Sequence, residues 1–188
     1  MNEPMSQTTV LIVPGLRDHV PQHWQTLLQA RLDKVRSVPP LEDNTLSLAA
    51  RVDAIQRELQ AIDGPVILVA HSAGVLMVAH WAARYDRPIK GALLVAPPDL
   101  GASWPENYPS PQSLQANGWA PLPKGALGFP SIVAASTNDH LASLQAVTEM
   151  ARGWGSELVN LGAVGHLNPA AGYGDWPQAD GFIRTLDR

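Results

Sequence analysis

Four short stretches of this chain are uncharged and almost wholly apolar, and they restrict its possible folds more than any other feature. They read TVLIV, VILVA, ALLVA and IVAA, at Thr9–Val13, Val66–Ala70, Ala92–Ala96 and Ile132–Ala135. A strand with one face in water alternates apolar and polar residues, whereas a strand of a parallel sheet is covered on both faces and is apolar throughout. The chain is therefore predicted to form an α/β fold on a mostly parallel sheet.

The segments between these strands have the periodicity of helices. Between Leu46 and Ile62 the apolar residues keep helical spacing, and Gly64-Pro65 ends the pattern. Further helices are predicted at 23–32, from the end of the Val66 strand to about Tyr85, at 141–153 and at 176–186, and short strands at 35–38 and 157–162 bring the sheet to about six strands. No repeat or linker interrupts the sequence. We expect a single domain over residues 1–188, with helices on both faces of the sheet.

Composition excludes several classes of function. Hydrophobic residues make up 45% of the 188 and charged residues 16%, which is typical of a globular protein. The net charge is -4 and lysine and arginine form no run, so neither nucleic acid nor a membrane surface is expected as a partner. The absence of cysteine excludes disulfides, thiolate catalysis and cysteine-based metal sites. Because no signal peptide or long apolar run is apparent, a cytoplasmic location is expected.

The Val66 strand runs directly into the string Ala70-His71-Ser72-Ala73-Gly74. This string matches the nucleophile elbow G-x-S-x-G, with alanine in place of the first glycine. Such a turn brings the strand and helix backbones close together, so we expect that no side chain larger than methyl fits at positions 70 and 74. A serine in this place could instead only cap the following helix.

A serine hydroxyl needs a base to remove its proton and an acid to orient that base. In a sheet of this kind the chain order is serine, acid and then histidine, each in a loop after a strand. Asp139 follows the fifth strand and His166 the sixth. His140 is the alternative base and Asp99 the alternative acid. Other readings remain open, because an aspartate can cap a helix and a histidine can lie in a surface loop.

Hydrolysis through such a serine also needs two N–H groups that hold the oxyanion. One is expected from Ala73, directly after the serine. The other is expected from Leu16, in the loop after the first strand, where Gly15 would let the backbone turn towards Ser72. The same Pro-Gly string would equally form an ordinary turn.

The sequence resembles the small single-domain serine hydrolases of the retinoblastoma-binding serine hydrolase and YdeN type, within the α/β-hydrolase superfamily. The resemblance rests on "VLIVPG…HW", "LVAHSAG", "STNDHLAS" and "GHLN…GYGDWP" and spans nearly the whole chain. It implies a compact α/β-hydrolase without a separate lid domain, a triad of Ser72, Asp139 and His166, and hydrolysis of small carboxylic esters. Binding to retinoblastoma protein is not implied, because the usual L-x-C-x-E string requires a cysteine and the chain has none.

The segment 97–130 is the one irregular part, with eight prolines and the aromatic residues Trp104, Tyr108 and Trp119. We expect it to cover the nucleophile, with Trp104 and Trp119 in the substrate pocket; they could instead only pin the segment to the core.

The sequence as a whole predicts a serine esterase that uses no cofactor and no metal ion and whose partner is a small-molecule ester. The alternatives are a weakly catalytic binding or scaffold protein of the same fold, or a peptidase or lyase.

Overall fold

A computed structural model describes residues 6–188. Six strands are present in this range, and their bounds are β1 (Thr9–Val13), β2 (Val35–Ser37), β3 (Val66–His71), β4 (Gly91–Val95), β5 (Ser131–Ala135) and β6 (Glu157–Asn160). The α-helices of the same range are α1 (Trp24–Arg31), α2 (Leu48–Gln60), α3 (Ala73–Arg84), α4 (Pro111–Ala116), α5 (Leu144–Trp154) and α6 (Gln178–Leu186). A short 3-10 helix, Pro169–Ala171, lies between β6 and α6. The strands and most of the helices agree with those predicted from the sequence.

The six strands form one sheet in the order β2-β1-β3-β4-β5-β6, and every neighbouring pair is parallel. The chain passes from β1 outwards to β2 and then returns to place β3 on the other side of β1. The strand order therefore reverses between β1 and β3. In sheets of this kind ligands bind beyond the carboxyl ends of the strands at such a reversal, and Gly15 and Ser72 lie at those two ends.

Successive side chains of each strand point to opposite faces of the sheet. Because the strands are apolar throughout, both faces are apolar, and helices cover each of them. One face packs on α2, α3 and α5 through a core that includes Leu68, Ile55 and Leu76. The other face packs on α1 and α6, where Trp24 and Ile183 contribute to the core.

Side-chain caps explain where two helices differ from their predicted bounds and where a third, unpredicted helix begins. The His23 ring accepts a hydrogen bond from the Gln25 N–H. His23 is therefore the N-cap of α1, and the helix itself begins at Trp24. Ser143 caps α5 in the same way, and the helix begins at Leu144 rather than at 141. The sequence analysis missed α4, which has Ser110 as its cap and Pro111 in its first turn.

Across residues 6–188, each helix is either too short or too polar to cross a bilayer.

Candidate active site

The turn between β3 and α3 holds Ser72 in a strained conformation. Its φ is 57° and its ψ is −127°, a region that side-chain-bearing residues seldom occupy. The Ser72 N–H donates to the Val95 carbonyl at 2.9 Å, which ties the turn to β4. Its hydroxyl makes no capping hydrogen bond to α3. The alternative in which Ser72 only caps the helix is therefore wrong.

Gly74 has less room than expected from the sequence. A Cβ atom at this position would overlap the Val13 carbonyl oxygen and lie 2.8 Å from the Pro14 carbonyl oxygen. Both obstacles are backbone atoms, and real Cβ atoms essentially never approach another atom within 3.0 Å. Nothing larger than methyl was expected to fit here, and the structure is stricter: even a methyl group is excluded, so position 74 requires glycine.

The structure brings Ser72, His166 and Asp139 into one hydrogen-bonded chain. His166 Nδ1 lies 2.8 Å from Asp139 Oδ2, and His166 Nε2 lies 2.8 Å from Ser72 Oγ. A carboxylate only accepts, so Nδ1 carries the proton, and the Ser72 hydroxyl donates to the free Nε2. The Asp139 and His166 side chains are 2% and 4% exposed, so neither is an ordinary surface group.

Asp139 is held in place by a second contact. Its other oxygen, Oδ1, accepts from the Leu141 N–H at 2.9 Å. The carboxylate therefore stabilises a turn and faces the imidazole at the same time.

The alternative base and acid lie outside this chain of bonds. His140 is exposed, and its Nε2 is 3.2 Å from the Tyr108 hydroxyl. The Asp99 carboxylate accepts from the Gly101 N–H at 2.9 Å, within its own loop.

Two backbone N–H groups adjoin Ser72. Leu16 and Ala73 both line the cavity above the serine, and within residues 6–188 neither amide donates to a main-chain carbonyl. Gly15 brings the two loops together, since a Cβ added to it would lie 3.5 Å from Ser72 Cβ and 3.9 Å from the Ala73 nitrogen. The amide of Ala73 also lies at the start of α3, where the helix dipole favours negative charge.

A partly buried ion pair fixes the loop that carries Leu16. The Asp18 N–H donates to the Gly15 carbonyl at 3.0 Å and closes a turn. Arg51 of α2, whose side chain is 5% exposed, donates to Asp18 Oδ1 at 2.6 Å and to the Thr45 carbonyl at 2.8 Å. This pair could not be predicted from the sequence, because its members are 33 residues apart.

The cavity has a volume of about 230 Å³ and opens over Ser72. Pro98, Trp104, Tyr108 and Pro109 contribute to its wall, so the first half of the proline-rich segment covers the serine as expected. Trp104 is partly buried, and its indole N–H donates to the Asp99 carbonyl at 2.9 Å.

Trp119 does not line this cavity. It is fully buried in the core of the α2–α3 face, and its indole N–H donates to the Leu46 carbonyl at 2.7 Å. The prediction that Trp119 forms part of the substrate pocket is therefore corrected: this residue pins the segment to the core.

Two buried histidines, His71 and His23, contribute to the wall of the cavity. His71 Nε2 is 2.8 Å from the His166 carbonyl oxygen, and His71 Nδ1 is 3.2 Å from His23 Nε2. Burial lowers the pKa of His71 well below its ordinary value, and the nearby imidazoles of His166 and His23 lower it further. Burial, with a smaller contribution from His166, also lowers the pKa of His23 to about 4. Both rings are therefore neutral at neutral pH.

No group of three or more histidine, aspartate or glutamate side chains in the described range is arranged to hold a metal ion.

Comparison with known proteins identifies similar sequences and folds. A family model described as serine hydrolase matches residues 10–185. The structure of a YdeN-like hydrolase from Pectobacterium atrosepticum is 30% identical, covers 96% of this chain and 91% of its own, and has a TM-score of 0.81. The ydeN gene product of B. subtilis is 20% identical over 95% of this chain and 98% of its own, with a TM-score of 0.74.

The type II thioesterase BorB, from the borrelidin biosynthetic cluster, is 13% identical over 99% of this chain and 94% of its own, with a TM-score of 0.67. Likeness at this identity concerns the fold alone. A search of curated proteins finds no match. Together the matches confirm the α/β-hydrolase fold class that the sequence predicted.

Proposed function

This chain belongs to the serine hydrolase family, and on that premise we propose that it hydrolyses small carboxylic esters through an acyl-enzyme intermediate on Ser72. The observation that supports the proposal is the unbroken chain of hydrogen bonds from Asp139 through His166 to the Ser72 hydroxyl. A half-buried serine that does not cap a helix, and whose hydroxyl donates to a buried imidazole, is arranged for nucleophilic attack.

In the first half of the reaction, Ser72 Oγ attacks the ester carbonyl while His166 Nε2 takes the hydroxyl proton. The N–H groups of Leu16 and Ala73 hold the oxyanion, and Asp139 stabilises the imidazolium that has formed. The C–O bond to the alcohol then breaks, and the imidazolium gives its proton to the departing alkoxide.

In the second half, a water molecule loses a proton to His166 and attacks the acyl carbonyl. The ester bond to Ser72 breaks, the serine oxygen regains the proton, and a carboxylic acid leaves. Neither half requires a cofactor or a metal ion.

The walls of the cavity support an apolar acyl group of short to medium length. The prolines, Trp104 and Leu141 present mostly carbon to a space of about 230 Å³. Each methylene buried there contributes about 0.8 kcal/mol, or roughly a fourfold gain in kcat/KM, until the space is filled.

The test is hydrolysis of a series of p-nitrophenyl esters of increasing acyl length, together with matched thioesters and amides. Ser72→Ala and His166→Ala are each expected to reduce kcat by a factor on the order of 10⁴. His140→Ala is the matched control for the histidine and Asp99→Asn for an Asp139→Asn variant, and both controls are expected to retain most of the activity.

A His166→Ala variant with near-normal turnover would contradict the assignment of the base. Folded wild-type protein that turns over no ester, thioester or amide would favour the binding-protein alternative instead.

A further inference from the structure

Two adjacent main-chain carbonyl groups in the loop after β6 are held by buried side chains from distant parts of the fold. The His166 carbonyl accepts from His71 Nε2 at 2.8 Å, and the Leu167 carbonyl accepts from the Trp24 indole N–H at 3.0 Å. His71 is 5% exposed and Trp24 is fully buried. The rings of these two donors meet edge to face, with centroids 6.0 Å apart. We call this pair the carbonyl clamp.

The loop needs such a restraint because its backbone is strained. Leu167 has a φ of 49° and Gly165 a φ of 60°. A residue other than glycine pays about 1–2 kcal/mol for the left-handed region. Within the loop the Leu167 N–H donates to the Val164 carbonyl at 3.3 Å, and hydrogen bonds from neighbouring elements add to this contact in holding the strained conformation.

The donor and acceptor of each hydrogen bond can be assigned in the series that joins Gln25, His23, His71 and the His166 carbonyl. The His166 carbonyl can only accept, so the proton of neutral His71 is on Nε2 and its Nδ1 is an acceptor. His23 Nε2 therefore donates to His71 Nδ1, and His23 Nδ1 accepts from the Gln25 N–H at 3.1 Å. All four polar positions on the two rings have a partner. The lowered pKa of each ring keeps this single arrangement populated at neutral pH.

We propose that His71 and Trp24 are positioning residues that fix the backbone carrying the base. The bond from His166 to Asp139 orients the imidazole ring, and the Gly165 N–H, which donates to Asn138 Oδ1 at 2.7 Å, holds the main chain just before it. The clamp holds the carbonyl groups of His166 and Leu167 themselves, so that Nε2 stays within hydrogen-bond distance of the Ser72 hydroxyl. The inference rests on the proposed function of Ser72 and His166. His71 also contributes to the cavity wall, but the role assigned to it here acts through the His166 backbone.

The position of His71 next to the nucleophile links the two halves of the machinery. The side chain of His71, the last residue of β3, points to the α1 face of the sheet. The next residue, Ser72, forms the elbow. The same short stretch of backbone therefore sets the place of Ser72 and, through the imidazole of His71, the place of His166.

The experiment compares two substitutions of His71 that differ in one property. His71→Phe keeps a ring of similar shape but removes the N–H donor, whereas His71→Gln places an amide N–H near the position of Nε2. His80→Phe is the matched control, because the His80 ring also bonds a main-chain carbonyl, that of Trp119 at 3.0 Å, but lies away from the site.

For each variant the measurements are kcat, KM, the melting temperature, and the fraction of active sites titrated with a fluorophosphonate. A displacement of the base by about 1 Å is expected to reduce kcat in His71→Phe by about 100-fold, with KM within about twofold of wild type. His71→Gln should recover at least about tenfold of that loss. His80→Phe should lower the melting temperature and leave kcat per titrated site unchanged.

The low-field proton resonance of His166 Nδ1–H, bonded to Asp139, provides a reading that does not depend on turnover. It should weaken or broaden in His71→Phe, return in His71→Gln, and stay unchanged in His80→Phe. If His71→Phe does not fold, Trp24→Phe replaces it, because that variant removes the indole N–H that holds the Leu167 carbonyl. In Trp24→Phe kcat should fall and the Nδ1 resonance should weaken, whereas His71→Gln should keep the resonance.

Normal kcat per titrated site in His71→Phe, or a His71→Gln variant as impaired as His71→Phe, would overturn the proposal. If the wild type turns over no ester, the proposed function is at fault, and the Nδ1 resonance alone decides whether the clamp holds His166.

Discussion

Gly74→Ala should destabilise the protein, although the same change inside a helix is normally stabilising. Position 74 lies in the first turn of α3, where alanine would gain up to about 1 kcal/mol in helix propensity. The new methyl group, however, would overlap the Val13 carbonyl oxygen and approach that of Pro14 to 2.8 Å. Because both obstacles are backbone at the end of β1, they cannot move aside as a flexible side chain could.

The magnitude follows from these two opposing contributions. Overpacking typically costs about 1–3 kcal/mol, and a clash of a methyl group with main-chain carbonyl oxygens belongs at the upper end. Subtracting the helix gain leaves a net loss of about 2 kcal/mol. For a chain of this length each kcal/mol shifts the melting temperature by about 2–4 °C, so a decrease of about 4–8 °C is expected.

Gly153→Ala provides the control with the opposite sign. Gly153 lies in the last turn of α5, and a Cβ there would meet nothing within 4 Å. The variant should gain about 0.5 kcal/mol, because only helix propensity changes. Urea unfolding and thermal melting of both variants measure the two effects. A Gly74→Ala protein as stable as wild type would refute the steric account of the elbow.

Other predictions concern the pocket and acid stability. Trp104→Ala should change the ratio of kcat/KM between short and longer acyl esters, whereas Trp119→Ala should cost about 3–5 kcal/mol of stability and leave that ratio unchanged. The pKa of His23 is about 4 in the folded protein and 6.5 ordinarily, so the unfolded chain binds the extra proton first as pH falls. The free energy of unfolding should therefore fall by about 3 kcal/mol from this residue between pH 6.5 and about 4. Urea unfolding that is independent of pH in this range would contradict the burial of a neutral His23. Partial burial alone would raise the pKa of Asp187, but hydrogen bonds led by that from Lys90 lower it below its ordinary 3.8. Asp187→Asn should therefore lower the melting temperature at neutral pH, with a difference that shrinks as pH falls below about 4; a difference independent of pH would argue against the ion pair.

The sheet and the three central side chains could be predicted from the sequence because each depends on local information. An uninterrupted apolar run such as Val66–Ala70 has few interpretations other than a strand buried on both faces. In a parallel sheet the carboxyl ends of the strands share one edge, so polar residues that follow β3, β5 and β6 meet there. Asp139 and His166 could be paired with Ser72 on chain order alone, before any distance was known.

The surroundings of the site could not be predicted, because they depend on contacts between distant segments. Trp104 and Trp119 look alike in the sequence, and only the path of the chain sends one to the cavity and the other into the core. The contact of His71 with the site had no local signal, because its bond to the His166 carbonyl joins residues 95 positions apart. The helix α4 did have a local signal, a serine followed by proline, which is typical of a helix start.

The most direct test of the proposed mechanism is the mass of the protein after exposure to a fluorophosphonate, followed by mapping of the modified peptide. In this reaction Ser72 Oγ bonds to phosphorus, fluoride leaves, and His166 takes the proton. A single adduct is expected on Ser72 in the wild type and none in Ser72→Ala, and the rate of labelling should be lowered by orders of magnitude in His166→Ala. An adduct on another residue, or equally fast labelling without His166, would contradict the proposed mechanism.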